Sequence, residues 1–136
     1  MAIKVTIDGG IILDEHVCKT ADFIADTPDD SNARSTDLSN TLKITGKILT
    51  ILDGGNEVTI ELAKWANKRA EDEQCYKSLE LEVISAAKVV RRINFTKAFV
   101  VDYVEHFGDM EGVGEFTLIC RQKKDKILEV DISGGH

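Results

Sequence analysis

"RRINFTKAFVVDYVEHFGD", Arg91 to Asp109, sets three phenylalanines, a tyrosine and a histidine among carboxylates, and "MEGVGEF" follows directly. Such residues suit a catalytic cleft. They suit equally well a long strand that ends in a glycine-rich turn. Strand spacing decides between these readings. His106 shares a face with Asp102 and Val104, but residues four apart on a strand are separated by about 13 Å, too far for a carboxylate to orient the imidazole. Within Lys97–Phe107 the alternation sets Phe99, Val101, Tyr103 and Phe107 on one face, and Ala98, Val100 and Val104 on the other. Apolar residues on both faces are expected where one face meets the core and the other meets a helix or a neighbour.

The flanking sequence repeats the strand signal. "IKVTIDGG" alternates Ile3, Val5 and Ile7 against Lys4 and Thr6 and turns at Asp8-Gly9-Gly10; a second strand is expected over His16–Ile24. Ala25–Asn40 holds the only proline among many Asp, Ser and Asn residues, which marks a polar loop. "TLKITGKI" puts Leu42, Ile44 and Ile48 on one side and Lys43, Thr45 and Lys47 on the other, with Gly46 suited to a bulge or a close approach. After Gly54-Gly55 the period changes. Val58, Leu62, Trp65, Ala66 and Arg69 fall at helical spacing, which predicts one helix over about residues 56–70. "KSLELEVI", "EFTLICR" and "KILEVDI" then alternate as strands through Leu79, Leu81 and Val83, through Phe116, Leu118 and Cys120, and through Leu128, Val130 and Ile132. The expected fold is mainly β, a small β-barrel or split β-sandwich with one flanking helix, in a single domain over residues 1–136. A helix of about four turns cannot cover both faces of such a sheet, so the sheet must curl, pair with a second sheet or meet another subunit.

Composition narrows the function. The 136 residues carry a formal charge of −7, which argues against a nucleic-acid partner, the short clusters Arg91–Arg92 and Arg121–Lys126 notwithstanding. The N-terminus has no signal-peptide pattern, and no apolar run approaches a membrane span, so synthesis in the cytoplasm without direct membrane anchoring is expected. Cys18, Cys75 and Cys120 form neither a CxxC pair nor a zinc pattern with His16, His106 and His136. No GxSxG, HExxH, GxGxxG or GxxxxGK[ST] occurs, and "DTPDDSNARSTD" lacks the spacing of a calcium loop. No cofactor, metal or catalytic residue is therefore expected. A non-polymerising β-barrel binding or adaptor module stands as the alternative to a self-assembling one, and an enzyme with a site in the long loop is the third reading.

Four stretches carry a resemblance: "ARSTDLSNTLKITGKI", the helix "ELAKWANK", the strand "SLELEVI" and "RRINFTKAFVVDYVEHFGDMEGVGEFTLICRQK". Together they resemble the tube-protein superfamily of contractile injection systems, most nearly the haemolysin-coregulated-protein-like tubes of type VI secretion. The run Ala98 to Phe107 is the strongest part of a likeness extending from about Arg34 to Ile132, whereas the acidic Ala25–Arg34 and the C-terminal stretch depart from it. The resemblance implies homo-hexameric rings stacked into the inner tube of a contractile or phage-like particle. It further implies sheath, baseplate or spike proteins as partners, effector cargo in the lumen, and an extracellular stage once the particle is fired. A baseplate-proximal ring is its variant form. By the same resemblance Asp29, Asp30, Arg34, Glu105 and His106 are candidate inter-subunit or inter-ring contacts, and Lys43, Thr45 and Lys47 are candidate lumen-facing residues. Trp65, Phe99, Tyr103 and Phe107 are candidate core anchors.

Overall fold

Alternating side chains build most of this molecule. The computed structural model describes residues 1–8, 10–27, 38–48, 58–68, 72–109 and 114–135. Its elements are β1 (Ala2–Ile7), β2 (Ile11–Leu13), β3 (Cys18–Asp26), β4 (Ser39–Ile48), α1 (Val58–Ala66), β5 (Lys77–Ser85), β6 (Lys88–His106), β7 (Gly114–Gln122) and β8 (Asp131–Ser133). Short 3-10 turns cover Glu73–Cys75 and Lys124–Glu129. β4 buries Leu42 and Ile44, β5 buries Leu79 and Leu81, and β7 buries Phe116, Leu118 and Cys120, as their period of two requires.

The strands pair in the order β2-β1-β5-β6-β7-β4-β3, with β8 added to β6. β2 and β3 end this path without pairing to each other, so the sheet is open and the molecule is a split sandwich rather than a closed barrel. β6 belongs to both halves. At Ala98 it pairs with Lys77 of β5 along one edge and with Gln122 of β7 along the other. The halves fold over a single apolar cluster holding Val5, Leu81 and Phe95 from one and Leu42, Ile44 and Leu118 from the other. Phe23 of β3 reaches across to Phe95 of β6, ring centroids 6.4 Å apart.

Strict alternation fails in β6. Its register shifts opposite Val83/Ile84, opposite Lys77/Leu79 and again between Val100 and Asp102, and the last two each move the inward phase by one residue. Ile93, Phe95 and Ala98 are buried, and Val100 and Tyr103 continue that face against the core. The expected grouping of Phe99, Val101, Tyr103 and Phe107 is therefore corrected. Phe99 lies half-buried on the other face, edge-on to Tyr76 at 6.0 Å, while Tyr103 stacks on Phe116 at 6.3 Å. Phe107 is no core anchor. It lies past the end of β6, 64% exposed, with its ring over Gly114.

Other expectations shift for local reasons. The strand expected over His16–Ile24 is β3, two residues later at each end, and the short β2 precedes it. The helix expected over residues 56–70 is described as α1, Val58–Ala66; residues 56, 57, 69 and 70 lie outside the described residues. "KILEVDI" forms most of a 3-10 turn and only the start of β8. The buried Gln122 explains the turn. Its Nε2 donates to Lys126 O at 2.7 Å and to Thr96 Oγ1 at 2.8 Å, and its Oε1 accepts from Lys97 N at 2.9 Å. A buried amide with its hydrogen bonds satisfied outweighs the weak strand preference of the segment following it.

The β5–β6 hairpin turns through Ala86 and Ala87, whose φ values of 52° and 63° are both positive. That is a type I′ turn, which Asn-Gly fits and alanine does not. Each alanine there is disfavoured by about 1–2 kcal/mol. Replacing the pair with Ala86→Asn and Ala87→Gly is expected to stabilise the fold by about 1–2 kcal/mol. Urea denaturation checks this as a higher midpoint with an unchanged slope.

Candidate functional site

The register of four strands assembles one polar face. Lys43 of β4 lies beside Asp22 of β3 and Ile119 of β7, and Ile119 in turn lies beside Asp102 of β6. The next row runs Thr20, Thr45, Thr117 and Val104, and Lys47, Glu115 and His106 follow. Lys43 and Lys47 are exposed and Thr45 is half-buried. The hydroxyls of Thr45 and Thr20 are hydrogen-bonded to each other. Lys19 Nζ donates to Glu115 Oε1 at 2.8 Å. That bond and the lysine's charge hold the Glu115 carboxyl below its ordinary value. Its stabilising contribution is therefore present at neutral pH and is lost as pH falls through the lowered value; at this exposed position it is small. The face mixes both signs of charge with hydroxyls.

Glu105 and His106 part company. His106 opposes Glu115 on the polar face, whereas Glu105 opposes Phe116 and points to the side that carries the core, at its rim. Tyr103 Oη donates to Glu105 Oε2 at 2.7 Å. Burial, and then this carboxylate, raise the Tyr103 phenol well above its ordinary value, so it stays protonated and donating. Asp29, Asp30 and Arg34 lie outside the described residues.

α1 stands against β2 and β6. Thr59, Leu62 and Trp65 form its buried side, and Trp65 Nε1 donates to Cys75 O at 2.8 Å. Between α1 and the second half of β6 lies an open groove of roughly 510 Å³. Ala63, Ala66 and Asn67 line one wall, and β6 from Val100 to Glu105 lines the other. Strand spacing alone gave no sign of this groove, because it arises where β5 begins at Lys77, beyond which no strand among the described residues pairs with β6 on that side.

The three cysteines are buried, and none is in a disulfide. Burial, with Asp14 nearby, pushes Cys18 up to about 12, and burial raises Cys120 further. Both are protonated at neutral pH and are poor nucleophiles. Among the described residues no group of three or more His, Cys, Asp or Glu is placed to hold a metal ion. Among them, too, no helix is long and apolar enough to cross a membrane.

An open antiparallel sheet folded over one core, with helix α1 at its side and extended polar faces, is the class of fold the described residues adopt. The chain shares that fold with proteins of type VI secretion and contractile injection systems. It is similar to Hcp1 from Flavobacterium johnsoniae at 18% identity, over 99% of this chain and 97% of that one, with a TM-score of 0.64. A type six secretion system protein is similar at 13% identity, over 90% and 79% of the two chains, with a TM-score of 0.60. A chain of the PVC extracellular contractile injection system, in its extended-state sheath/tube terminator, is similar at 13% identity over 97% and 93%, with a TM-score of 0.54. No protein-family model matches the sequence, and no curated protein matches it.

Proposed function

We propose that the protein is a structural subunit of a contractile injection or type VI-like secretion apparatus, with no catalytic role. Its copies form hexameric rings that stack into an inner tube, with sheath, baseplate or spike proteins as further partners. The observation that carries this reading is the fold shared with Hcp1 over almost the whole of both chains. The four-stranded polar face supports it, since mixed charges and hydroxyls let cargo pass along a lumen without binding tightly. In this reading Lys43, Thr45 and Lys47 line the lumen, while Glu105 and His106 stand at contacts between copies.

Negative-stain imaging and mass measurement of the purified full chain test the assembly. Rings of six copies are expected; a strictly monomeric species at high concentration overturns the proposal. Lumen placement has its own readout, because Cys18, Cys75 and Cys120 are all buried, which keeps the labelling background low. In assembled tubes, a cysteine in place of Lys43 is expected to react with a small maleimide but not with one carrying a bulky polymer. Equal reaction with both reagents places Lys43 on the outside of the tube.

A further inference from the structure

The polar face of β3, β4, β7 and β6 balances its charges row by row, except at one end. Lys43 has Asp22 directly opposite and Asp102 in the same row, and Lys19 and Lys47 both meet Glu115. The row Ile24, Thr41, Arg121 and Phe99 holds a cation and no carboxylate. Two further cations flank it. Lys97 and Lys123 stand two residues from Phe99 and Arg121, and Lys123 N donates to Lys97 O at 2.8 Å, which keeps the two backbones side by side. Asp26, the carboxylate at this end of the face, is on β3, three strand spacings or about 14 Å from β6. Among the described residues neither Lys97 nor Arg121 is ion-paired. Arg121 Nε donates to Thr41 Oγ1 at 3.2 Å, which orients the guanidinium and leaves its two terminal amino groups to form a fork. An aromatic pair lies within the same corner. Phe99 is edge-on to Tyr76, and Lys123 Nζ is 5.3 Å from the centre of the Tyr76 ring.

We propose that this corner of the sheet docks an acidic segment of a partner protein, one with carboxylates two residues apart and an apolar side chain beside them. Alternate residues of an extended segment are about 6.7 Å apart, which is also the spacing from Arg121 to Lys123 along one strand. One carboxylate takes the Arg121 fork, the next meets Lys97 and Lys123, and the apolar side chain lies on Phe99 and the edge of Tyr76. Charge selects this occupant. The chain as a whole carries −7, so an acidic partner is drawn to this corner and not to the surface at large. A nucleic acid fits less well, because its phosphates run on past three cations over a surface that repels them. The side chains concerned stand on the face of the sheet, so the site uses no strand edge. It belongs to the single protomer and does not rest on ring formation.

The test uses the full chain and labelled peptides of about eight residues, which span about 26 Å when extended. One carries glutamate at alternate positions with one phenylalanine among them, a second has lysine for each glutamate, and a third has serine for the phenylalanine. An oligothymidylate of similar length is the fourth probe. The expected result is saturable binding of the glutamate peptide by fluorescence anisotropy, weakening as salt is raised. The serine peptide is expected to bind several-fold more weakly, and the lysine peptide and oligothymidylate to fail. Arg121→Gln is expected to weaken the glutamate peptide about tenfold. Lys97→Gln, at an exposed position, is expected to weaken it several-fold with an unchanged urea midpoint. Lys88→Gln removes the same charge at the opposite end of β6 and is expected to leave binding unchanged. Absence of binding, equal binding of the lysine peptide, or equal weakening by Lys88→Gln overturns the site. Equal binding of the serine peptide overturns the apolar contact. Tighter binding of the oligothymidylate overturns it in favour of a nucleic acid, and peptide binding that falls away as protein concentration rises overturns it in favour of a second copy.

Discussion

Trp65→Ala is expected to remove about 3–5 kcal/mol of stability, enough to unfold much of a marginally stable population. The indole is 2% exposed and belongs to the single apolar cluster, and it is the chain's only tryptophan. Two effects add. Deleting the ring leaves a cavity that the flanking strands cannot close. The Cys75 carbonyl also loses the donor 2.8 Å away, which costs about 1–3 kcal/mol if nothing replaces it. Trp65→Phe separates these, since it retains most of the packing and drops only the donor; about 1–2 kcal/mol is expected. Because the variants lack the native fluorophore, urea unfolding must be followed by circular dichroism. A loss below about 1 kcal/mol for Trp65→Ala would mean that α1 is not docked as described. The consequence reaches beyond stability. α1 forms a wall of the groove at β6, so a variant that folds with a loosened helix should also lose the groove.

Local sequence predicts an element well where local chemistry alone determines it. β4 and β7 alternate cleanly, and their inward residues Leu42, Ile44, Phe116, Leu118 and Cys120 are buried as that pattern demands. The helical spacing of Val58, Leu62 and Trp65 similarly marks the docked side of α1. β6 resists such a reading because its three register shifts are set by the partners β5 and β7, which no count along the strand reveals. Phe99 and Tyr103 thus look alike in sequence and lie on opposite faces. The Ala86-Ala87 turn is silent for another reason: neither residue is a turn former, and only the pairing of β5 with β6 forces both into positive φ. The turn after β7 depends on Gln122 reaching Lys126 and Thr96, a tertiary arrangement. The candidate site divides the same way. Lys43, Thr45 and Lys47 declare one polar side of β4, but Asp22, Glu115 and Asp102 join them only through interstrand register.

Gly46→Ala is expected to destabilise by about 3 kcal/mol, at the upper end of overpacking costs, and Gly46→Val to prevent folding. Ordinary propensity predicts the reverse, since alanine in a strand interior gains about 0.5–1 kcal/mol over glycine. The sign of the result is therefore decisive. A Cβ at Gly46 would fall 2.5 Å from Val17 O and 2.6 Å from two ring carbons of Phe116. Neither neighbour yields cheaply. Val17 O is fixed by the hydrogen bond from Lys47 N at 2.8 Å, and Phe116 is 1% exposed and stacked on Tyr103. Phe116→Ala alone should cost about 3–5 kcal/mol. Combined with Gly46→Ala it should cost less than the sum by about 1–2 kcal/mol, because the alanine at 46 then meets only the carbonyl. Additive costs would show that the ring is not what excludes a side chain there. Gly46 lies between Thr45 and Lys47, so the close approach that excludes a side chain also fixes β4 against the turn before β3. Lys43, Thr45 and Lys47 keep one continuous face only while that approach is kept, so under the proposed tube assembly the folded fraction of Gly46→Ala should assemble poorly even where its secondary structure survives.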